Sequence, residues 1–300
     1  MAVFNFGSIN IDHVYQVPHF VNPGETLASS GYTAILGGKG ANQSIACAKA
    51  GITTYHVGSI HSNDANMLSP MLDAGVNMQF VAQQGDTASG HAIIQVNTDG
   101  ENAIILYPGA NHLLDANKIE KALSGATAND WMLLQNETNE IKRIIEHAHN
   151  KGIPVAFNPA PMTDEIKSLP LNKLSLLIVN EIEAMQLTEC DDIEQATNAL
   201  MTLANDLQIV LTLGKQGVRY MHKSQNVYVS AYCVDATDTT AAGDTFIGFF
   251  LAHFSAQKNI KEALKLACAA SAISVTRPGA SSSIPSLDEA RTFLKAQENT

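Results

Sequence analysis

The feature that most limits how this chain can fold is a repeated alternation of short apolar segments with longer amphipathic ones. The apolar segments are residues 3–6, 53–57, 131–134, 154–157, 176–179 and 209–213. Strands buried on both faces of a parallel sheet have this uninterrupted apolar character, because helices cover both sides of the sheet. Apolar residues in 139–150 and 193–205 are spaced as in the connecting helices. The pattern predicts an α/β fold built on a parallel sheet with crossover helices.

Two regions interrupt this alternation and predict a small β-sheet lid. One contains extended patches, and the other has the pattern of a hairpin that turns at Asp99-Gly100. Because a sheet of this size leaves edges and an apolar face uncovered, we expect it to pair with the lid of a second copy in a homodimer. The predicted boundaries are 11–36 and 89–107 for the lid, and 1–10, 37–88 and 108–300 for the larger α/β unit.

Composition excludes several classes of partner. Acidic residues outnumber basic ones, 29 to 18, and no cluster of Lys or Arg could neutralise a phosphodiester backbone, so nucleic acid is not an expected ligand. The four cysteines form no Cys-x-x-Cys pair, which predicts reduced thiols rather than a zinc site or a disulfide framework. The first residues lack a basic signal-peptide region, and no long apolar run could span a membrane. We therefore expect a cytoplasmic protein without a membrane partner.

The stretch 238–246 combines small residues with a carboxylate just before an apolar helical segment, 247–254. Small residues before a helix leave its first N–H groups open to an anion, and the helix dipole adds to the attraction. Asp244 would lie at the same end, ionised and within reach of a substrate hydroxyl. Taken alone, the stretch is explained as well by an ordinary helix N-cap.

A second glycine-rich stretch, 37–43, precedes a helix that should end at Ala50 with Gly51 as its C-terminal cap. It is neither a Walker A loop nor a dinucleotide fingerprint, because the residues that those motifs require are absent. Close approach of the backbone to a sugar remains as one interpretation. The other is a helix entry loop whose glycines only permit positive φ angles.

Five motifs together resemble the ordered signatures of the ribokinase-like (PfkB) carbohydrate kinase family. They span nearly the whole chain, and each stands at a predicted strand end or helix start. They are Gly7-Ser8-Ile9-Asn10-Ile11-Asp12, residues 37–43, Asn158-Pro159-Ala160-Pro161, Asn180-Glu181-Ile182-Glu183 and residues 238–246. The resemblance implies a doubly wound, mostly parallel sheet flanked by helices, with a small β-sheet lid.

The resemblance also implies a role for particular residues. The catalytic group is Asp244 as general base, with an anion hole at Ala241, Ala242, Gly243 and Asp244. Sugar-binding residues are Asn10, Asp12, Gly38, Lys39, Asn42, Glu137 and Asp244. Nucleotide-binding residues are Asn180, Glu183, Thr212, Gly214, Gly217, Gly243 and Cys268, with Glu183 organising Mg²⁺ through water. A K⁺ loop is formed by Asp238, Thr240, Ser274, Arg277, Gly279 and Ser283, mostly through backbone carbonyls.

The activity implied is ATP-dependent phosphorylation of a small sugar, with D-ribose and its 5-hydroxyl as the expected acceptor. A fructokinase or a nucleoside kinase of the same family is the alternative, and a sugar-binding regulator that has lost turnover is a further one. Asp244 and its intact anion-hole sequence argue against the regulator. Cys268 departs from the His or Asn that ribokinases often have at this position near adenine.

Overall fold

The computed structural model describes residues 1–114, 116–256 and 259–298, which form a nine-stranded sheet and a separate four-stranded sheet. The strands are β1 (Ala2–Phe6), β2 (Asn10–Gln16), β3 (Gly31–Gly37), β4 (Thr53–His61), β5 (Asn77–Gln84), β6 (Gly90–Val96), β7 (Asn102–Tyr107), β8 (Trp131–Gln135), β9 (Val155–Asn158), β10 (Leu176–Asn180), β11 (Gln208–Thr212), β12 (Gly217–His222) and β13 (Gln225–Ser230). The α-helices are α1 (Lys39–Lys49), α2 (Ser69–Asp73), α3 (Ala116–Ser124), α4 (Ile141–Asn150), α5 (Glu181–Thr188), α6 (Ile193–Thr202), α7 (Ala242–Ser255), α8 (Ile260–Val275) and α9 (Leu287–Glu298).

The large sheet has the strand order β13-β12-β11-β10-β9-β8-β1-β4-β5. All neighbours from β11 to β5 pair in parallel, and only β12 and β13 pair antiparallel at one edge. The order reverses beside β1, since β4 follows on one side and β8 on the other. In open parallel sheets, ligands bind beyond the carboxyl ends of the strands at such a reversal.

Helices cover both faces of this sheet, and two buried cores result. Val3 of β1 packs in the core that contains residues of α1, α7 and α8, whereas Phe4 and Phe6 pack in the core that contains residues of α3, α4 and α6. Successive β1 side chains therefore enter opposite cores, which explains why the strand sequence is apolar without alternation. The predicted doubly wound, mostly parallel sheet is confirmed.

The small sheet has the order β3-β2-β6-β7, with β2 parallel to β6 and the outer pairs antiparallel. The β6–β7 hairpin turns at Asp99 and Gly100, where Gly100 takes a φ of 80°. The edge strand β7 exposes four consecutive apolar side chains, Ile104 to Tyr107. The residues that the structure describes leave this edge uncovered, so a further surface would be needed to bury the β7 side chains.

No helix of the described residues is long and apolar enough to cross a bilayer.

Candidate active site

The site lies where β1 and β8 end and where α1 and α7 begin. Gly40, in the first turn of α1, packs directly on the loop that follows β1: a Cβ at this position would lie 2.3 Å from the Ser8 backbone N. Gly38, just before α1, has a φ of 91°, which side-chain-bearing residues rarely adopt. These two glycines let the helix start come close to the strand end, so both segments can contribute to one site.

Asp244 lies in the first turn of α7 and is held from α1. Its Oδ1 accepts a hydrogen bond from Gln43 Nε2 at 2.9 Å, and its Oδ2 accepts one from Asn42 Nδ2 at 3.1 Å. Burial raises the pKa of Asp244, against the opposing effects of the Lys39 charge and these two hydrogen bonds. A carboxylate whose pKa is raised toward neutrality is better matched to proton abstraction than an ordinary exposed one.

The N-terminus of α7 is open to an anion. Ala241, at the N-cap position, has a φ of 58°, and no side chain caps the helix. A left-handed backbone costs an alanine roughly 1 kcal/mol or more, so the surrounding loops hold this turn in place. A Cβ added at Gly243 would meet no atom within 4 Å, so space remains beside the first turn. This combination suits a phosphate group.

Four carboxylates act on Lys39 at the predicted sugar end of the site. Glu137 accepts hydrogen bonds from Ser8 Oγ and, at 3.1 Å, from the Lys39 backbone N, while its Oε1 lies 3.9 Å from Lys39 Nζ. Burial alone would lower the pKa of Lys39, but the charges of Glu137, Asp244, Glu183 and Asp12 together raise it. Lys39 therefore stays protonated and offsets the negative charge of the pocket.

Asp12 is another of these carboxylates with a raised pKa. Burial and, secondarily, the Glu137 charge raise the pKa of Asp12 to about 6, although Lys39 opposes the change. Its ionisation state consequently changes within the range where enzymes are commonly assayed. Protonation turns one carboxyl oxygen into a donor and reduces the acceptor capacity that the ionised group offers to a ligand.

Two asparagines of the predicted sugar pocket are oriented for a ligand. Asn111 Nδ2 donates to Asn10 Oδ1 at 2.7 Å, and Asn111 Oδ1 accepts from the Ile9 backbone N at 2.9 Å. Asn42 Oδ1 is buried and has no hydrogen-bond partner in the described part of the chain. A buried carbonyl oxygen without a partner is costly, so this atom is available to accept from a bound hydroxyl.

The predicted nucleotide residues, with the exception of Glu183, line one cavity of about 610 Å³. It reaches from Ala242 and Gly243 at the α7 N-terminus to small apolar residues at the other end. The lining includes Asn180, Thr212, Gly214, Gly217, Val218, Ala231, Val234, Cys268, Ala272 and Val275. The structure thus brings the anion-binding turn and the predicted nucleotide loop into one continuous space of a size typical for ligand sites.

Glu183 takes part in a capping box at the start of α5. Its Oε2 accepts from the Asn180 backbone N at 3.0 Å, and its own N–H donates to Asn180 Oδ1 at 2.8 Å. Burial raises the pKa of Glu183, and the negative charge of Asp244 adds to this against Lys39. Glu183 is therefore both a helix cap and a neighbour of the reacting region, and the two interpretations do not exclude each other.

The two segments of the predicted K⁺ loop meet through Asp238. Its Oδ2 accepts from the Gly279 backbone N at 2.8 Å, and its Oδ1 accepts from Thr240 N and Oγ1 at 2.9 and 2.6 Å. Arg277 points away, since its guanidinium pairs with Glu289 Oε1 at 2.6 Å. Ser274 and Ser283 are fully buried and use their hydroxyls on nearby backbone carbonyls. The Arg277 side chain therefore offers no ligand to an ion, whereas backbone oxygens and the lone pairs of the two hydroxyls remain.

Sequence reasoning assigned no function to several polar residues that the structure places in the site. They are Ser8, Gln43, Asn111, Gln135 and Asn158. Three of them, Ser8, Gln43 and Asn158, stand inside the five motifs, and Gln135 directly follows the apolar segment 131–134, so a polar residue at a strand end or helix start was a usable signal. Asn111 had no such signal, because it lies in a short turn after the lid hairpin, 101 residues from Asn10.

Comparisons with known proteins agree with this geometry. The model of the pfkB family carbohydrate kinases matches residues 2–287. The chain is 36% identical to ribokinase of Haemophilus influenzae, over 96% of this chain and 97% of that protein. It is 30% identical to deoxyribokinase of Salmonella typhimurium, over 99% of this chain and 100% of the other. The structure of Arabidopsis thaliana ribokinase complexed with ribose and ATP superposes with a TM-score of 0.88 at 27% identity, covering 98% of this chain and 99% of that one. The chain therefore belongs to the pfkB family of carbohydrate kinases, phosphotransferases whose acceptor is a hydroxyl group.

Proposed function

We propose that this kinase transfers the γ-phosphate of ATP to the 5-hydroxyl of D-ribose. One observation carries the proposal: Asp244 stands at the uncapped start of α7, between the carboxylate-lined sugar end and the cavity of about 610 Å³. A relative of the same fold binds ribose and ATP together, and ribokinases are among the most similar relatives. Because ATP is the donor, we also propose that the reaction takes place in the cytoplasm.

In the proposed reaction, Asp244 accepts the proton of the sugar hydroxyl while that oxygen attacks the γ-phosphorus and the bond to the β-phosphate oxygen breaks. The raised pKa of Asp244 favours this role, and the amides of Gln43 and Asn42 fix its two oxygens. The N–H groups at residues 241–244 would stabilise the charge that develops on the transferred phosphoryl group. Proton transfer and charge stabilisation are thus contributed by the same helix end.

The ribose hydroxyls would be held by Asn10, Asp12, Gly38, Asn42 and Glu137, with Lys39 balancing the carboxylates. Ionised carboxylates accept from vicinal hydroxyls, and the unpartnered Asn42 Oδ1 accepts one more. Asn10, Asn42 and Glu137 are held by hydrogen bonds to other residues before the sugar binds. A sugar that leaves one of them unpaired would bind with a large penalty.

Magnesium and potassium fit the residues present, as the resemblance suggested. Asn180 and Glu183 offer few direct ligands, which suits an ion that keeps several waters and lies on the phosphates. Residues 238–240 and 274–283 meet through the Asp238–Gly279 contact and present backbone carbonyls near α7. A monovalent cation there would hold the anion-binding turn in place.

Kinase activity in K⁺ buffer should therefore exceed the activity in choline buffer. The Asp238→Ala variant should remove this difference.

Deoxyribose phosphorylation is a second candidate, because one relative over the full chain length is a deoxyribokinase. A coupled ADP-release assay separates the candidates by comparing kcat/KM for D-ribose, 2-deoxyribose, fructose, tagatose and adenosine. We expect D-ribose to have the highest value, because its 2-hydroxyl satisfies a buried acceptor that deoxyribose leaves unpaired. A higher value for another acceptor would replace ribose in the proposal while leaving the kinase assignment in place.

We further propose that residues 11–36 and 89–107 act as a lid and that two lids form a homodimer interface. The support is the edge strand β7, where Ile104 and Ile105 are 56% and 65% exposed next to Leu106 and Tyr107. An exposed apolar edge strand is normally covered by another chain. Light scattering should give a dimer for the wild type and for Leu72→Lys, an exposed apolar residue on α2, and a monomer for Ile105→Lys. A monomeric wild type would refute the interface.

A further inference from the structure

A chain of buried polar side chains leads from Asp244 through the core beneath the sugar end. Its members come from four elements, β1, α1, β4 and β8, and all have no measurable solvent exposure. They are Asn5, Gln43, Ser44, His56 and Gln135. Burying so many polar groups is costly unless their hydrogen bonds are satisfied. Because this chain ends on Asp244, its hydrogen bonds point to a role in the site.

The inner part of the chain joins three amides to the carboxylate. Gln43 Nε2 donates to Asp244 Oδ1 at 2.9 Å, and Gln43 Oε1 accepts from Gln135 Nε2 at 2.8 Å. Gln135 Nε2 also donates to Asn5 Oδ1 at 2.9 Å. Both hydrogens of the Gln135 amide are thereby used, and Gln43 can present its nitrogen to Asp244 only while its oxygen faces Gln135.

Two backbone carbonyls determine which way these amides point. Asn5 Nδ2 donates to Gly40 O at 2.8 Å, and because a carbonyl can only accept, the Asn5 oxygen must face Gln135. On the other side, Asn158 Nδ2 donates to Ile178 O at 3.0 Å, which leaves Asn158 Oδ1 to accept from Gln43 Nε2 at 3.4 Å. The orientation of Gln43 is thus specified from both ends by groups that cannot reverse.

The outer end of the chain is closed by a histidine. His56 Nε2 faces Gly7 O at 3.1 Å, so it carries the hydrogen, and Nδ1 accepts from Ser44 Oγ at 2.8 Å. Ser44 Oγ in turn accepts from Asn5 Nδ2 at 2.8 Å. Burial lowers the pKa of His56 to about 4, which keeps the ring neutral, as this set of donors requires. Hydrogen-bond donation therefore runs outward from Gln135, through Asn5 and Ser44 to His56 on one side and through Gln43 to Asp244 on the other.

A reversed Gln43 would place its oxygen, instead of its nitrogen, against Asp244 Oδ1. The oxygen would repel the ionised carboxylate and remove a hydrogen bond that opposes the raised pKa of Asp244. The other charged groups that act on Asp244 are Lys39, Glu137 and Glu183. Within the described residues, none of these three makes a hydrogen bond to Asn5 or Gln135. The orientation of one amide consequently controls how easily the base ionises.

We propose that Gln135 and Asn5, supported by Ser44 and His56, are positioning residues for the general base. They hold the Gln43 amide so that Nε2 faces Asp244 and keeps it ionised and correctly directed. The proposal rests on the assignment of Asp244 as base, and it adds residues that would contact neither the sugar nor the nucleotide. Its effect should therefore fall on kcat rather than on the KM for the sugar.

A double-mutant cycle tests the proposal. Gln43→Met and Gln135→Met should each lower kcat by on the order of 10-fold, with the KM for ribose within about twofold of wild type. The double variant should be no slower than the slower single variant, because both changes remove the same hydrogen bond to the base. The acid limb of the kcat profile should also move to higher pH in both single variants. Multiplicative losses, or an unchanged acid limb, would show a purely structural network.

Thr54→Val provides a matched control on the same strand as His56. Thr54 is as buried as the chain members, and its hydroxyl donates to Ile52 O at 3.0 Å outside the network. The Thr54→Val variant should lower the melting temperature without changing kcat.

If Gln135→Met does not fold, Gln135→Glu keeps the side-chain shape but replaces the donor nitrogen by oxygen. This variant should shift the acid limb of the kcat profile in the same direction. Wild-type kcat in a folded Gln135 variant, with Asp244→Asn inactive, would refute this inference alone; an active Asp244→Asn would refute the assignment of the base.

Discussion

The two ends of the candidate active site differ in the kinds of side chains that line them. The proposed sugar end consists of carboxylates and amides, several of which are oriented by other side chains, as in Asn10 with Asn111 and Asp244 with Gln43. The proposed nucleotide end is a cavity in which glycine, alanine, valine and two cysteines make up more than half of the lining residues. Fixed buried polar groups penalise a ligand that leaves them unpaired, whereas small apolar residues mainly require shape. The contrast predicts strict selection of the acceptor and more tolerant selection of the donor base.

Asp244→Asn should have the largest effect, because it removes the base from the sugar end while keeping its shape. We expect kcat to fall by about 10² or more, with ribose affinity preserved through the neighbouring groups. Steady-state kinetics with a coupled assay and ribose titration calorimetry measure the two quantities separately. Turnover near the wild-type rate would remove Asp244 from the mechanism.

Two glycine variants separate packing from ligand approach. Gly243→Ala should leave the melting temperature unchanged or slightly raised, because its Cβ meets no protein atom, yet kcat/KM for ATP should fall on the order of 10-fold as the methyl group enters the phosphate space. Gly40→Ala should instead destabilise the fold by about 1–3 kcal/mol, because its Cβ would clash with the Ser8 and Gly7 backbone. Gly125→Ala, where an added Cβ also meets nothing, is the control and should change neither quantity. Unchanged kinetics in Gly243→Ala would mean that no phosphate approaches this turn.

The raised pKa of Asp12 predicts a pH dependence at the sugar end. Above about 6 the carboxylate is ionised and can accept from ribose hydroxyls; as the pH falls through this value it becomes protonated, and kcat/KM for ribose should decrease. The decrease should be several-fold between about pH 7 and pH 5. Asp12→Asn should lower kcat/KM at all pH values and remove this inflection. An inflection that persists in Asp12→Asn would assign it to another group.

The smallest effect is expected at the nucleotide base. Because Cys268 and its apolar neighbours offer few hydrogen bonds to a purine edge, kcat/KM for GTP should lie within about 10-fold of that for ATP. Cys268→Asn introduces an amide and should widen the ratio. A wild-type preference for ATP greater than about 10³ would show that backbone groups read the base and would weaken the contrast between the two ends.

The sequence predicted the sheet, its crossover helices and the small lid sheet, because these follow from local periodicity. The five motifs at strand ends and helix starts predicted which segments form the candidate site, and two of these segments do meet where Asn42 and Gln43 contact Asp244. It did not predict partners such as Asn111 for Asn10, or the path from Gln43 to His56, because these contacts join residues that are distant in sequence and depend on which way each amide points. Local patterns contain no information about that orientation.

The helix that contains Asp244 shows the same limit. The apolar stretch predicted a helix over 247–254, whereas α7 begins at Ala242, so the predicted anion hole forms the first turn and not the preceding loop. The difference arises because Ala241 takes a left-handed conformation that an alanine rarely adopts, and propensity gives no indication of it. The neighbouring loop is held by hydrogen bonds from Thr240 and Gly279 to Asp238, contacts that a local pattern also does not reveal.

The most direct test of the account is to locate the phosphate in the product of the reaction with ATP and D-ribose. Carbon NMR of the purified product, with carbon–phosphorus coupling, identifies the phosphorylated position. We expect coupling at C5 and its attached carbon only, because in the proposed complex the residues of the sugar end hold the ring hydroxyls and the primary hydroxyl faces Asp244. Coupling at a ring carbon, or release of ADP without any sugar phosphate, would contradict it.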